Sequence, residues 1–352
     1  SILRLAATAP LFGIAWWLDE LIYGKALREV RVEAPLIEIS AARSGSTQLA
    51  RYLEEDPHLI APAMIQCMFP FLWAWRLVPR TLGRLVSRER VTARLLESIP
   101  ESMRERHEGD PFRSDTFELA LLGRHLNHLS LRLGPDVMAD DFAFGPLAPH
   151  NRQLWACDFV RLFDGVARKT LLDAKPGPDG APRRLFIKGH FLCAADFLAR
   201  RYPDAVFLTM IREPAPRLQS TVNFLRSTPF DDRMGGPAPW AWLGAAIAKS
   251  EATYCELEQD WFTREPGPRR CVVRFADYVR DLEGTMRRVY QECLDTPTLP
   301  PWAPRTHAPR KRHGYTHDRP LAAVGIDEAA LNRRLASYVA WCRGEDAASE
   351  SR

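Results

Sequence analysis

Three short stretches hold residue types that could do chemistry on an anion. In "SAARSGSTQL", residues 40–49, Arg43 precedes Ser44, Gly45, Ser46, Thr47 and Gln48. Small residues let an anion approach the backbone N–H groups closely, hydroxyls add donors, and the arginine supplies a full charge at the rim. In "FLTMIREPAPRLQS", residues 207–220, Arg212 stands before a proline turn and Ser220 follows eight residues on. An arginine and a hydroxyl so separated can converge on one phosphate. In "IKGH", residues 187–190, Lys188 and His190 are i and i+2 on an extended chain and so point to the same side. A lysine can neutralise charge developing on a leaving group, and a histidine near its ordinary pKa can accept a proton at neutral pH. Each stretch also has a plainer reading: Ser46 as a helix cap, Arg212 as the partner of Glu213, His190 as a structural side chain.

The elements that must position these residues recur as strand then helix. "PLIEIS" (35–40) feeds "STQLARYLEE", "RLFIKG" (184–189) feeds "FLCAADFLARRY", "AVFLTMI" (205–211) feeds "APRLQSTVNFLR", and "RCVVRF" (270–275) feeds "DLEGTMRRVYQECL". Short continuous apolar runs alternating with helical patterns predict an α/β fold: a P-loop-like parallel β-sheet flanked by helices. The stretch from about 64 to 183 is too long for a bare loop and is expected to be a helical lid insertion over the carboxyl edge of the sheet, where open α/β folds bind ligands. One α/β domain over 35–345 is expected, preceded by an N-terminal amphipathic helix within 1–34 and followed by a tail, 346–352.

Bulk properties narrow the class. The chain has 352 residues, 46% apolar and 26% charged, with a net charge of +4. That is an ordinary globular composition, and the mild basic excess does not point to nucleic acid. Seven cysteines without a C-x-x-C pair suit a reducing compartment, the cytoplasm. His125 and His128 lack a third ligand nearby, so no metal site is expected. The apolar run Ala6–Leu18 is too short to span a bilayer. Its Trp16–Trp17 pair leaves two readings for residues 2–23: a helix packed on the domain, or a peripheral contact at the inner face of a membrane.

Together the quoted motifs resemble the sulfotransferases that use 3′-phosphoadenosine-5′-phosphosulfate (PAPS). "RSGST" is similar to that family's 5′-phosphosulfate loop, "IREPAPRLQS" to its 3′-phosphate motif, and "IKGH" to the lysine–x–histidine of the cytosolic branch. The resemblance covers 35–60 and 184–295 and implies roles. Arg43, Ser44, Gly45, Ser46, Thr47 and Gln48 would lie along the 5′-phosphosulfate, with Arg43 also counted among the catalytic residues. Arg212 and Ser220 would hold the 3′-phosphate. Lys188 would steady the bridging oxygen and His190 would be the general base, giving a sulfated hydroxyl and PAP without a metal. "APRKRHGYTH" (308–317) is similar to the basic-glycine segment that closes over the 3′-phosphate, with Arg310, Lys311, Arg312 and Gly314 as candidates. Gln48 stands where many members carry an adenine-stacking tryptophan, so another aromatic is expected to serve; Phe275 is counted among the cofactor-binding residues. No carboxylate stands at Ala63–Met64, where another branch carries its base.

The acceptor is not written in any motif. The aromatic-rich 68–79 segment and the N-terminal helix favour a lipophilic or membrane-resident alcohol over a carbohydrate or a phenolic metabolite. A P-loop-type kinase or nucleotide-binding protein is the competing class, disfavoured by the missing lysine after Gly45 and by the lack of a clear Mg²⁺-binding aspartate. A non-catalytic, membrane-associated binding protein is the third, disfavoured by the intact Lys188 and His190. The oligomeric state is not legible.

Overall fold

The computed structural model describes residues 2–81, 87–97, 110–114, 117, 149–226, 238–296 and 320–345. Its centre is a parallel sheet of β1 (Leu36–Ile39), β2 (Leu59–Ile60), β3 (Arg184–Gly189), β4 (Val206–Ile211) and β5 (Arg269–Arg274), in the order β2-β3-β1-β4-β5. The first strand of the sequence is thus the middle strand of the sheet. The order reverses direction beside it, and such switch points leave a crevice at the carboxyl ends of the strands.

The period-2 alternation of each strand splits the core in two. Ile37, Ile39, Leu185, Ile187, Phe207 and Ile211 face one layer; Leu36, Phe186, Leu208, Met210, Cys271 and Val273 face the other. The second layer is closed by α2 (Ser46–Glu54), which follows β1, and by α11 (Leu282–Leu294) through Met286, Val289, Tyr290 and Cys293. The other α-helices among the described residues are α1 (Ile2–Glu29), α3 (Met64–Met68), α4 (Leu72–Thr81), α5 (Arg88–Glu97), α6 (Pro149–Asp173), α7 (Ala195–Arg201), α8 (Pro214–Arg226), α9 (Ala238–Thr263), α10 (Phe275–Arg280), α12 (Glu328–Arg334) and α13 (Ala336–Arg343).

The segment expected to decorate the sheet edge contains a core element. Phe159, Leu162, Phe163, Val166 and Ala167 of α6 recur at i, i+3, i+4, i+7 and i+8 and join the first core layer. The ring of Phe191, just beyond β3, packs 5.1 Å from Phe159 and 6.0 Å from Phe163, centroid to centroid. The chain around "IKGH" is therefore anchored by α6, which covers a face of the sheet.

Helix α1 is fastened by one side. Asp19, fully buried, pairs with Lys169 of α6 at 2.9 Å and accepts the N–H groups of Leu72 and Trp73 at 2.8 Å, capping the start of α4. Lys169 donates to the Pro70 carbonyl and lies over the Trp16 ring, while burial pulls its pKa down. The other side of α1 exposes Leu11, Ile14, Trp17, Leu21 and Ile22. Among the described residues no helix is long and apolar enough to cross a membrane, and no disulfide is formed.

Candidate active site

The site grows from the turn after β1. Arg43 and Gly45 both take positive φ, 67° and 101°. This folds the chain so that Gly45 becomes the N-cap of α2 and no side chain caps that helix end. Ser46 is therefore the first helical residue, and the cap reading does not hold. Ser44, completely buried, donates its hydroxyl to the Ala41 carbonyl at 2.8 Å and holds the turn closed. Glycine at 45 is required by contact as well as by φ: a Cβ there would lie 2.8 Å from the Phe275 ring and 3.1 Å from Met210 Sδ. Thr47 and Gln48 are exposed beside the loop.

Four further side chains reach this turn from neighbouring elements. Arg43 Nε donates to Ser220 Oγ of α8 at 3.0 Å, and Arg212 Nη1 donates to the Arg43 carbonyl at 3.0 Å. The two halves of the second motif thus meet the first motif through its own arginine. Lys188 Nζ donates to Thr47 Oγ1 at 3.0 Å. A lysine does serve this loop, but it comes from β3. His190 Nδ1 lies 2.7 Å from the Ser40 carbonyl oxygen. Only an N–H satisfies that acceptor, so Nδ1 carries a hydrogen and, in the neutral ring, Nε2 carries the lone pair, the tautomer a general base needs.

Phe275 begins α10 at the end of β5. Its ring fills the space beside Gly45 and carries the Arg212 guanidinium at 4.5 Å from its centroid. The residues of the loop, Lys188, His190, Arg212, Ser220 and Phe275 are all brought together at the carboxyl ends of β1, β3, β4 and β5. Arg310, Lys311, Arg312 and Gly314 lie outside the described residues. Among the described residues, no three His, Cys, Asp or Glu side chains group as metal ligands would.

Sequence reasoning missed two supports of this arrangement. The first is Glu38, completely buried on β1, in register with Lys188 on β3 and Leu208 on β4. Its Oε1 accepts a short hydrogen bond from Ser40 Oγ, which in turn accepts the Met210 N–H at 2.8 Å. Burial pushes the Glu38 carboxyl up to about 7, against the pull of Lys188 and the Ser40 hydrogen bond, with Glu258 adding repulsion. The signal was an acid inside an apolar run, "PLIEIS". The second is Arg217, wholly buried within the "PAPRLQS" helix. It binds Glu251 at 2.5 Å, the Tyr338 hydroxyl at 3.1 Å and Cys255 Sγ at 2.9 Å, with Glu258 at 3.5 Å. This cluster fixes α8 against α9 and α13, and so fixes Ser220.

Comparison with known proteins places the fold. Residues 35–297 match the profile described as the sulfotransferase family. The chain belongs to the sulfotransferase family. The sulfotransferase STF9 from Mycobacterium avium is similar in structure, with a TM-score of 0.65 at 18% identity over 96% of this chain and 84% of that one. The sulfotransferase STF1 from Mycobacterium tuberculosis H37Rv has a TM-score of 0.63 at 20% identity over the same shares, 96% and 84%. At those identities the structures attest the fold. Among curated protein sequences none is similar enough to count as a match. The matched span includes the loop, "IKGH" and "IREPAPRLQS", and leaves α1 outside it.

Proposed function

We propose that this sulfotransferase moves the sulfuryl group of PAPS to a hydroxyl acceptor, with His190 as the general base. The observation that carries the reading is the convergence of Lys188, His190, Arg43 and Arg212 on one helix N-terminus, with the His190 tautomer set by Ser40. PAPS supplies the electrophilic sulfur. The loop from Arg43 to Thr47 would hold its 5′ end, and Arg212 with Ser220 its 3′-phosphate. His190 Nε2 takes the acceptor's hydroxyl proton as the new oxygen–sulfur bond forms. Lys188, moving from Thr47, steadies the phosphate oxygen released as the old sulfur–oxygen bond breaks, leaving PAP.

The acceptor class proposed is a lipophilic alcohol met at a membrane surface. The exposed apolar stripe of α1 supports this, because Lys25 and Arg28 follow Leu21 by four and seven residues and continue the same side toward anionic lipid headgroups. Sedimentation with anionic vesicles tests it: wild type should pellet with them, and Trp17→Ser with Leu21→Ser should not. Equal partitioning of both proteins would refute it.

The donor is tested by ligand-dependent stability. PAP at 100 times its dissociation constant should stabilise the protein by about 2.7 kcal/mol without magnesium. Stabilisation by Mg-ATP and not by PAP would replace this reading with the kinase class.

A further inference from the structure

We propose that Glu38 takes up a proton when an anion occupies the loop of residues 40–47, so that donor binding neutralises a carboxylate lying beneath the site. The proposal rests on the donor reading above and adds a function for a residue that reading does not use.

The geometry places Glu38 where a bound anion must act on it. It stands on the middle strand, two residues before the turn begins, in register with Lys188. Oε1 is bonded to Ser40, the residue whose carbonyl orients His190. Oε2 is buried and accepts no hydrogen bond among the described residues. A carboxylate that is half unsatisfied is costly to keep charged, whereas a carboxylic acid is a donor as well as an acceptor. The groups that bear on it are Lys188 from β3, and Glu258 and Tyr254 from α9. On β4 its register partner is Leu208, and the titratable residues on the buried side of α2 are Tyr52 and Arg51, the latter bound to Glu54 and the Ser114 carbonyl.

Among the described residues Lys188 is the cation that favours the ionised form, and Glu258 opposes it. A multiply charged anion drawn to the loop competes for the same lysine and repels the carboxylate. Both changes raise the affinity of Glu38 for a proton, so at slightly alkaline pH one proton from solvent joins the carboxylate as the anion binds. The bookkeeping is a single protonation, COO⁻ to COOH, with no other bond altered. The consequence is functional: once Glu38 is neutral, the full charge of Lys188 is available to the ligand.

The experiment is PAP titration calorimetry on wild type and Glu38→Gln at pH 8, in buffers of differing ionisation enthalpy. Wild type should take up close to one proton more per PAP than the variant. Above the Glu38 pKa its PAP affinity should fall, relative to Glu38→Gln, by about tenfold per pH unit. Equal proton counts and parallel pH profiles would overturn the proposal while leaving the donor reading intact. Absence of PAP binding to wild type would overturn both. Infrared difference spectra of wild type need no variant: PAP should produce a deuterium-sensitive carboxylic-acid C=O band, and a spectrum without one contradicts the proposal.

Discussion

Replacing Glu38 with glutamine should change the stability of the unliganded protein in a pH-dependent way whose size follows from its burial. The carboxyl is raised from 4.5 to about 7 in the fold, chiefly because it is buried. At 1.36 kcal/mol per pKa unit, that shift corresponds to about 3 kcal/mol. A raised acid favours the folded state only while protonated. Wild type therefore bears almost none of this penalty below pH 4.5 and loses stability progressively as pH rises through 7, above which the loss levels off. Glutamine cannot ionise and does not share that loss. Its amide adds a constant offset, because an N–H₂ placed at Oε2 must find acceptors beside Lys188. The difference in unfolding free energy between variant and wild type should thus grow in the variant's favour by about 3 kcal/mol between pH 4.5 and 7, whatever its starting value. Urea titrations of both proteins across this range, with equal slopes on denaturant, measure it. A difference that stays flat with pH would mean that Glu38 is not held in a buried, unsatisfied position.

Two other substitutions probe the scaffold of the site. Gly45→Ala places a Cβ against the Phe275 ring at a positive φ and should cost about 2–5 kcal/mol, combining the left-handed penalty with overpacking. Denaturant unfolding reads the loss, and PAP affinity should fall with it; wild-type stability would show that Phe275 does not press on the loop. Arg217→Met leaves the buried Glu258 and the part-buried Glu251 without their cation and should destabilise by about 3–5 kcal/mol. Adding Glu258→Gln to that variant should recover part of the loss, and a purely additive pair would contradict the cluster's role.

Much of the sheet was legible because parallel strands covered on both faces read as short apolar runs, and four of the five lie within a residue of where their runs suggest. Strand β2 was not, since a two-residue strand, Leu59–Ile60, carries no period. The role of α6 was hidden by distance: its stripe from Phe159 to Ala167 marks a buried face, but only the packed chain shows that face lying on the sheet. At the site, Arg43, Lys188, His190, Arg212 and Ser220 announced themselves by type and spacing. Their mutual bonds did not. That Arg43 itself bridges to Ser220, and that Ser40 sets the His190 tautomer, depends on the turn geometry at Gly45. Glu38 stands out as an acid within the apolar run "PLIEIS", but strand position alone does not say which partner sits opposite.

Lys188 and His190 are proposed to perform sulfuryl transfer from PAPS on the loop that follows β1. The direct measurement follows labelled sulfate from PAPS into acceptors fractionated by polarity, with wild type and His190→Ala compared at equal PAP occupancy. Wild type should label a lipophilic hydroxyl compound, and the variant should bind PAP as before while transferring about 10²- to 10⁴-fold more slowly. Undiminished transfer by His190→Ala, or PAP bound and no acceptor labelled by wild type, would contradict the account.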